Sequence, residues 1–210
     1  TNSATSTEKD TTETTSDGEQ NAASQEGDAK ETQQDSVVAN SNGKRVYLTF
    51  DDGPSIYTGQ ILDVLKANDV KATFFVIGRD EEFYDYYKRI VDEGHTIGMH
   101  SYTHVYQDFY ESKESFAEEL TRLEDLIYNV TGTKSTIFRF PGGSTNSTVL
   151  PEVISEIKNK IAEKGYVYFD WNALGKDDMH TPTSSDDIFL NVINSGKDRK
   201  RILILMHDDA

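Results

Sequence analysis

From Lys44 to the end of the chain, short apolar runs alternate with amphipathic stretches. The runs at 45–50, 71–77, 95–99, 136–140, 166–170 and 201–206 are enriched in β-branched and aromatic residues and are too short for helices, so they predict strands. The stretches at 57–68, 80–93, 113–130, 149–164 and 185–195 predict helices. Within them Ile61, Leu62 and Leu65, and then Phe116, Leu120, Leu123 and Ile127, recur at helical spacing and form one apolar stripe each. Strand followed by helix, repeated, predicts parallel strands joined by right-handed crossovers, an α/β fold. A doubly wound sheet and a (β/α) barrel both satisfy that order, and periodicity does not separate them. The chain ends at Ala210, directly after the last strand. A closed barrel ordinarily adds a further helix over that edge, so a fold truncated at its C-terminal end is expected; six-stranded closure is the alternative.

Residues 1–42 break the pattern. They are rich in Thr, Ser, Glu, Asp, Gln and Asn and contain no Leu, Ile, Phe, Tyr or Trp. Such a segment cannot bury enough apolar area to offset the entropy of ordering, which predicts a disordered acidic linker ahead of one domain at 43–210. The formal net charge of −16 argues against nucleic acid as a partner and against electrostatic adhesion to an anionic membrane. No apolar run approaches the roughly 20 residues that span a bilayer. The absence of Cys excludes disulfides, Cys-ligated zinc and thiol catalysis. The first residue is Thr, and a signal or anchor segment upstream is expected.

Candidate chemistry clusters at the ends of the predicted strands. Thr49-Phe50-Asp51-Asp52-Gly53-Pro54 places two adjacent carboxylates where a strand gives way to a turn. Successive side chains on an extended chain face opposite ways, so the two have separate tasks: one takes a cation, the other moves a proton. His100-Ser101-Tyr102-Thr103-His104 follows another strand, and two His four apart on a helical turn reach one ion. One carboxylate and two imidazoles form a facial ligand set with open positions. Zinc is the default for hydrolysis without redox chemistry, and cobalt, nickel, manganese or iron fit the same ligands. Arg139-Phe140-Pro141-Gly142-Gly143 offers a cation for a buried carboxylate and a tight turn with a backbone N–H, and Leu205-Met206-His207-Asp208 ends the last strand. Asp51, Asp52, His100, Arg139 and His207 thus fall on one rim of a parallel fold, where sites are built.

These motifs, in this order over about residues 44–208, resemble the polysaccharide deacetylase family, the NodB-homology domain of carbohydrate esterase family 4. The resemblance implies an irregular (β/α) barrel and a metal-dependent hydrolase of carbon–nitrogen bonds other than peptides. It implies Asp51 as general base, Asp52, His100 and His104 as ligands of one divalent metal, His207 as general acid and Arg139 as the group orienting Asp51. It also implies an oxyanion donor at the Gly142 N–H, with Pro141, Trp171 and Leu205 on the substrate side. Two departures stand out. Family members often carry Tyr where Gly142 stands, so an aromatic wall is missing there. The usual fourth motif is replaced by the run from Phe169 through Asp170 and Trp171 to Asp177, with Asp177 the favoured partner of His207 and Asp170 the rival. The implied substrate is an acetylated polysaccharide, with N-acetylglucosamine of peptidoglycan or a chitin-like glycan first. An acetylxylan esterase and a catalytically silent glycan-binding domain are the alternatives. A monomer is expected, outside the cell or on its envelope, with the acidic segment as spacer. His95 and His180 are expected to be structural and loop residues, and the sequons at Asn129 and Asn146 carry little weight.

Overall fold

The computed structural model of the protein describes residues 38–39, 43–178 and 183–209; the remainder of the expected linker and His180 lie outside them. The strands are β1 (Val38–Ala39), β2 (Arg45–Asp51), β3 (Thr73–Val76), β4 (Thr96–Met99), β5 (Ile137–Phe138), β6 (Val167–Tyr168), β7 (Ala173–Leu174) and β8 (Arg201–His207). The helices are α1 (Thr58–Ala67), α2 (Tyr84–Asp92), α3 (Tyr106–Phe109), α4 (Lys113–Thr131), α5 (Pro151–Glu163) and α6 (Ser185–Gly196). Each predicted strand and helix is present, and β1, β7 and α3 are additions too short to leave a periodic signal. β1 lies inside the segment read as linker and pairs antiparallel with the start of β2.

The other seven strands run parallel in the order β6-β5-β4-β3-β2-β8-β7. The two outermost strands, β6 and β7, are consecutive in the chain and separated only by residues 169–172. An extended link of that length reaches at most roughly 17 Å. A flat seven-stranded sheet would hold its edges far further apart, so the sheet must curl. The link bonds to the strand beside each edge: the Phe169 N–H donates to the Phe138 carbonyl of β5 at 2.9 Å and the Asn172 N–H to the Leu203 carbonyl of β8 at 3.1 Å. The result is an irregular, partly open (β/α) barrel, which resolves the choice left open by periodicity.

α4 shows how the sequence drives the outer layer. Ser112 accepts from the Ser115 N–H at its start, and Gly132 ends it at φ 72°, a left-handed conformation that glycine adopts without a Cβ penalty. Between the caps Phe116, Leu120, Leu123 and Ile127 are buried in the main core, each contributing roughly 1.5–3 kcal/mol. Glu119 interrupts that stripe and is also buried, at 6 % exposure. This packing holds the strands rigidly enough that the residues ending β2, β4, β5 and β8 meet at the barrel rim.

Candidate active site

Asp51 ends β2 and pairs in register with His207, the last residue of the neighbouring β8. Parallel neighbours in register point to the same face, about 5 Å apart, so both side chains enter the rim together. The Asp208 N–H donates to the Asp51 carbonyl at 2.8 Å and locks that register at its end. Asp52 steps off the strand at φ 71°, and the chain then turns through Gly53 and Pro54. The step turns Asp52 away from the strand geometry of Asp51, so the separation of tasks comes from a turn as well as from alternation.

His100 Nε2 and His104 Nε2 lie 3.3 and 3.2 Å from the same oxygen, Asp52 Oδ1. The two imidazoles stack, with centroids 5.2 Å apart. The His pair does not sit on a helix, contrary to the helical-turn expectation. Residues 100–105 form an irregular loop, and His104 has φ 56°, which brings its ring back beside His100. That loop is held from outside. Glu119 on α4 accepts from the Tyr102 N–H at 2.9 Å and the Thr103 N–H at 2.8 Å, and the His104 N–H donates to Ser101 Oγ at 2.8 Å.

The donor set fits a divalent cation. Asp52 Oδ1 is buried and has no hydrogen-bond partner among the described residues, an arrangement that is costly unless a cation sits there. His100 Nδ1 donates to the Arg139 carbonyl at 2.7 Å, which leaves the lone pair of Nε2 on the side facing Asp52. Complete burial lowers the pKa of His100 to about 3, so the ring is neutral, as a metal ligand must be.

Arg139, wholly buried at the end of β5, reaches across the barrel interior. Its Nη1 donates to Asp51 Oδ1 at 2.8 Å and its Nε to the Phe169 carbonyl at 3.0 Å, with the guanidinium 4.2 Å over the Phe75 ring. Burial raises the pKa of Asp51 to about 6, although Arg139 and the nearby His residues oppose it. The pairing expected for Arg139 is therefore present, but the ion pair moderates a base strength set by desolvation.

On the opposite flank Asp177 accepts from His207 Nδ1 at 3.0 Å and from the His207 N–H at 2.8 Å. Burial opposes the charge on His207, yet the hydrogen bond and charge of Asp177 win and raise its pKa to about 9. Asp170, the rival, is occupied elsewhere. It accepts from Ser144 N–H and Ser144 Oγ at 2.8 and 2.6 Å and so anchors the turn after β5. In that turn Gly142 and Gly143 both have positive φ, and the Gly142 N–H donates to no described residue. The Pro141 carbonyl accepts from Tyr110, Leu205 is buried within β8, and Trp171 is half-buried with its ring 5.8 Å from the Arg139 guanidinium. His95 is a core residue. Its Nδ1 accepts from the Ala72 N–H at 3.1 Å, and burial lowers its pKa to about 4.

Two residues that hold this site are given no role by the motifs. Glu119 lies in no motif and is a buried carboxylate within the apolar stripe of α4. Asp208 is 1 % exposed and accepts from Ser55 and Thr58, tying the loop after Asp52 to β8.

Residues 39–158 match the family profile of polysaccharide deacetylases, more than half of the chain. The chain belongs to the polysaccharide deacetylase family. It is 38% identical over 175 residues to a peptidoglycan-N-acetylglucosamine deacetylase of Bacillus cereus, covering 80% of this chain and 62% of that protein. It is 32% identical over 168 residues to a chitin deacetylase of Arthroderma benhamiae, covering 78% of this chain and 43% of that one. The chain thus spans less than two thirds of these curated relatives. Among solved structures, the catalytic domain of peptidoglycan N-acetylglucosamine deacetylase from Eubacterium rectale superposes with a TM-score of 0.75 at 36% identity, covering 78% of this chain and 76% of that chain. The barrel is therefore that of the polysaccharide deacetylases. The matched segment holds Asp51, Asp52, His100, His104 and Arg139, whereas Asp177 and His207 lie beyond it and are tied to the site by geometry.

Proposed function

We propose that this polysaccharide deacetylase domain removes the N-acetyl group of N-acetylglucosamine units in a cell-wall glycan of the peptidoglycan type, releasing acetate and a free amino sugar. The observation that carries this reading is the pair of groups with shifted pKa values, Asp51 beside Arg139 and His207 beside Asp177, flanking the Asp52, His100 and His104 donor set.

The roles follow from the tuning. A divalent cation on Asp52, His100 and His104, with zinc the default for hydrolysis, supplies Lewis acidity when bound. Asp51, ionised above about pH 6, accepts the proton of the water that attacks the acetamide carbonyl. The Gly142 N–H, without a partner among the described residues, donates to the oxygen on which negative charge builds. His207, protonated until about pH 9, delivers a proton to the departing nitrogen. An amide demands that proton because an amide anion is a very poor leaving group, whereas an ester leaves as an alkoxide. A general acid serves either bond, and N-acetyl substrates are favoured over O-acetyl ones on the similarity to the relatives above. N-acetylglucosamine is also the unit shared by peptidoglycan and chitin, the substrates named for the two relatives above. A place outside the cytoplasm, with the acidic N-terminal segment as spacer, suits such a polymer; among the described residues no helix is long and apolar enough to cross a membrane.

The test is acetate release from peptidoglycan, chitooligosaccharides and acetylxylan, with and without chelator. The expected result is chelator-sensitive release from the two N-acetylated glycans. Release from acetylxylan alone would make the domain an esterase, and no release from any of the three would make it a silent glycan-binding domain. His104→Ala should lose metal by elemental analysis; full occupancy in that variant would remove His104 from the ligand set.

A further inference from the structure

Gly142 lacks a side chain where two polar groups converge. A Cβ built there would lie 2.8 Å from the Tyr106 hydroxyl and 2.6 Å from Asn146 Nδ2. The two atoms come from different elements, α3 and the loop before α5, and both pack against Gly142 over the turn that carries its N–H. Neither donates to any described residue. Buried tyrosines of this chain behave differently: the Tyr110 hydroxyl donates to the Pro141 carbonyl at 2.7 Å and Tyr87 to the Ile77 carbonyl. Asn146 is held with its amide nitrogen inward. Its Oδ1 accepts from the Thr148 N–H at 2.9 Å and from Thr148 Oγ1 at 2.7 Å, and a backbone N–H can only donate, so the oxygen is on the Thr148 side. Tyr106 is held by its ring, edge-on to His104 with centroids 5.6 Å apart and beside Tyr110 at 5.8 Å. It remains 39% exposed, so the hydroxyl is at the mouth of the site.

We propose that Tyr106 and Asn146 form a substrate-binding cradle over Gly142, in which the hydroxyl and the amide N–H grip hydroxyl oxygens of the pyranose whose acetamide enters the site. The Tyr106 ring gives that sugar an apolar wall, set beside the His104 ligand. Glycine at 142 adopts φ 73° without strain, and a side chain there would collide with Tyr106 and Asn146 where they now stand. The ligand class is a neutral pyranose rich in equatorial hydroxyls, for which paired donors beside an aromatic face are the fitting chemistry.

This inference rests on the glycan deacetylase reading, and the experiment separates the two. Tyr106→Phe and Asn146→Ala are compared with wild type by acetate release from N-acetylated chitooligosaccharides, by metal content and by titration of the fluorescence of Trp171, the single Trp of the chain, with the same oligosaccharides. Each variant should raise KM and weaken binding about three- to tenfold, the worth of one neutral hydrogen bond, with kcat, metal content and Tm near wild type. KM and binding within twofold of wild type in both variants would overturn the cradle while leaving the deacetylase reading intact. So would a lowered Tm or metal content with unchanged KM, since that is the mark of a merely structural role. A wild type that neither hydrolyses nor binds the oligosaccharides would remove both.

Discussion

Asp51 and Asp52 are adjacent in sequence and differ in almost everything around them. Asp51 is 2 % exposed, pairs with Arg139 and has its pKa lifted to about 6 by burial. Asp52 turns off the strand and offers an unpartnered oxygen to two imidazoles. Asp51→Asn should therefore keep metal content near wild type while kcat falls by roughly 10²–10⁴-fold, the usual worth of a general base. Activity near wild type would place the base elsewhere. His207 makes the complementary case. Its folded pKa, about 9, is raised above the ordinary 6.5 by Asp177, so the pair stabilises the fold fully below about pH 6.5 and loses that contribution as pH rises through about 9. In the pH profile of kcat/KM, the alkaline limb should lie near pH 9 and move down towards about 6.5 in Asp177→Asn. The Tm deficit of that variant should be largest at pH 6 and shrink above pH 9. An unmoved alkaline limb would show that His207 does not supply the proton.

At the scale of elements, the sequence announced the barrel strands and the long helices because their apolar periodicity is strong. It also picked out a His pair that the structure brings together beside Asp52, but by a different geometry from the one expected. A spacing of four suits a helical turn, and here a loop with left-handed His104 achieves the same convergence. Loop conformations depend on distant anchors, and the anchor here is Glu119. The partner of His207 was open for a similar reason. Asp170 and Asp177 are equally acidic in sequence, and the decision comes from β7 followed by the left-handed turn at Lys176, which returns Asp177 to the end of β8. Tyr106 was invisible because α3 has only four residues. The loop argument makes a prediction. Glu119→Ala removes the acceptor of two backbone N–H groups, each costing about 1–3 kcal/mol when left unpaired. Helix content by circular dichroism should persist, while metal affinity falls about ten- to a hundredfold, as for other residues that orient ligands. Unchanged metal affinity would show that the 100–105 loop holds its shape without α4.

For the whole molecule, the question is where the working unit begins. Composition separates residues 1–42 from the rest, yet β1 at Val38–Ala39 adds a strand to the start of β2, and the family profile begins at residue 39. Val38 and Ala39, on the linker side of the boundary set by composition, contribute backbone pairing that no count of apolar residues records. β2 is the central strand of the site: it pairs with β3 and β8 and carries Asp51 at its end. β1 covers the stretch of β2 at Arg45 and Val46, ahead of Thr49, where pairing with β3 begins. A chain starting at Asp35 should match the full chain in Tm and kcat/KM, because the acidic segment removed has no apolar residue larger than Ala with which to hold the barrel. A chain starting at Lys44 loses β1 and exposes that stretch of β2, and its Tm should fall by several degrees with kcat/KM per folded molecule retained. Thermal unfolding and acetate release from the three chains decide it. If the Asp35 chain loses stability, the acidic segment is part of the folded unit; if the Lys44 chain does not, β1 contributes nothing to the strand that carries the base.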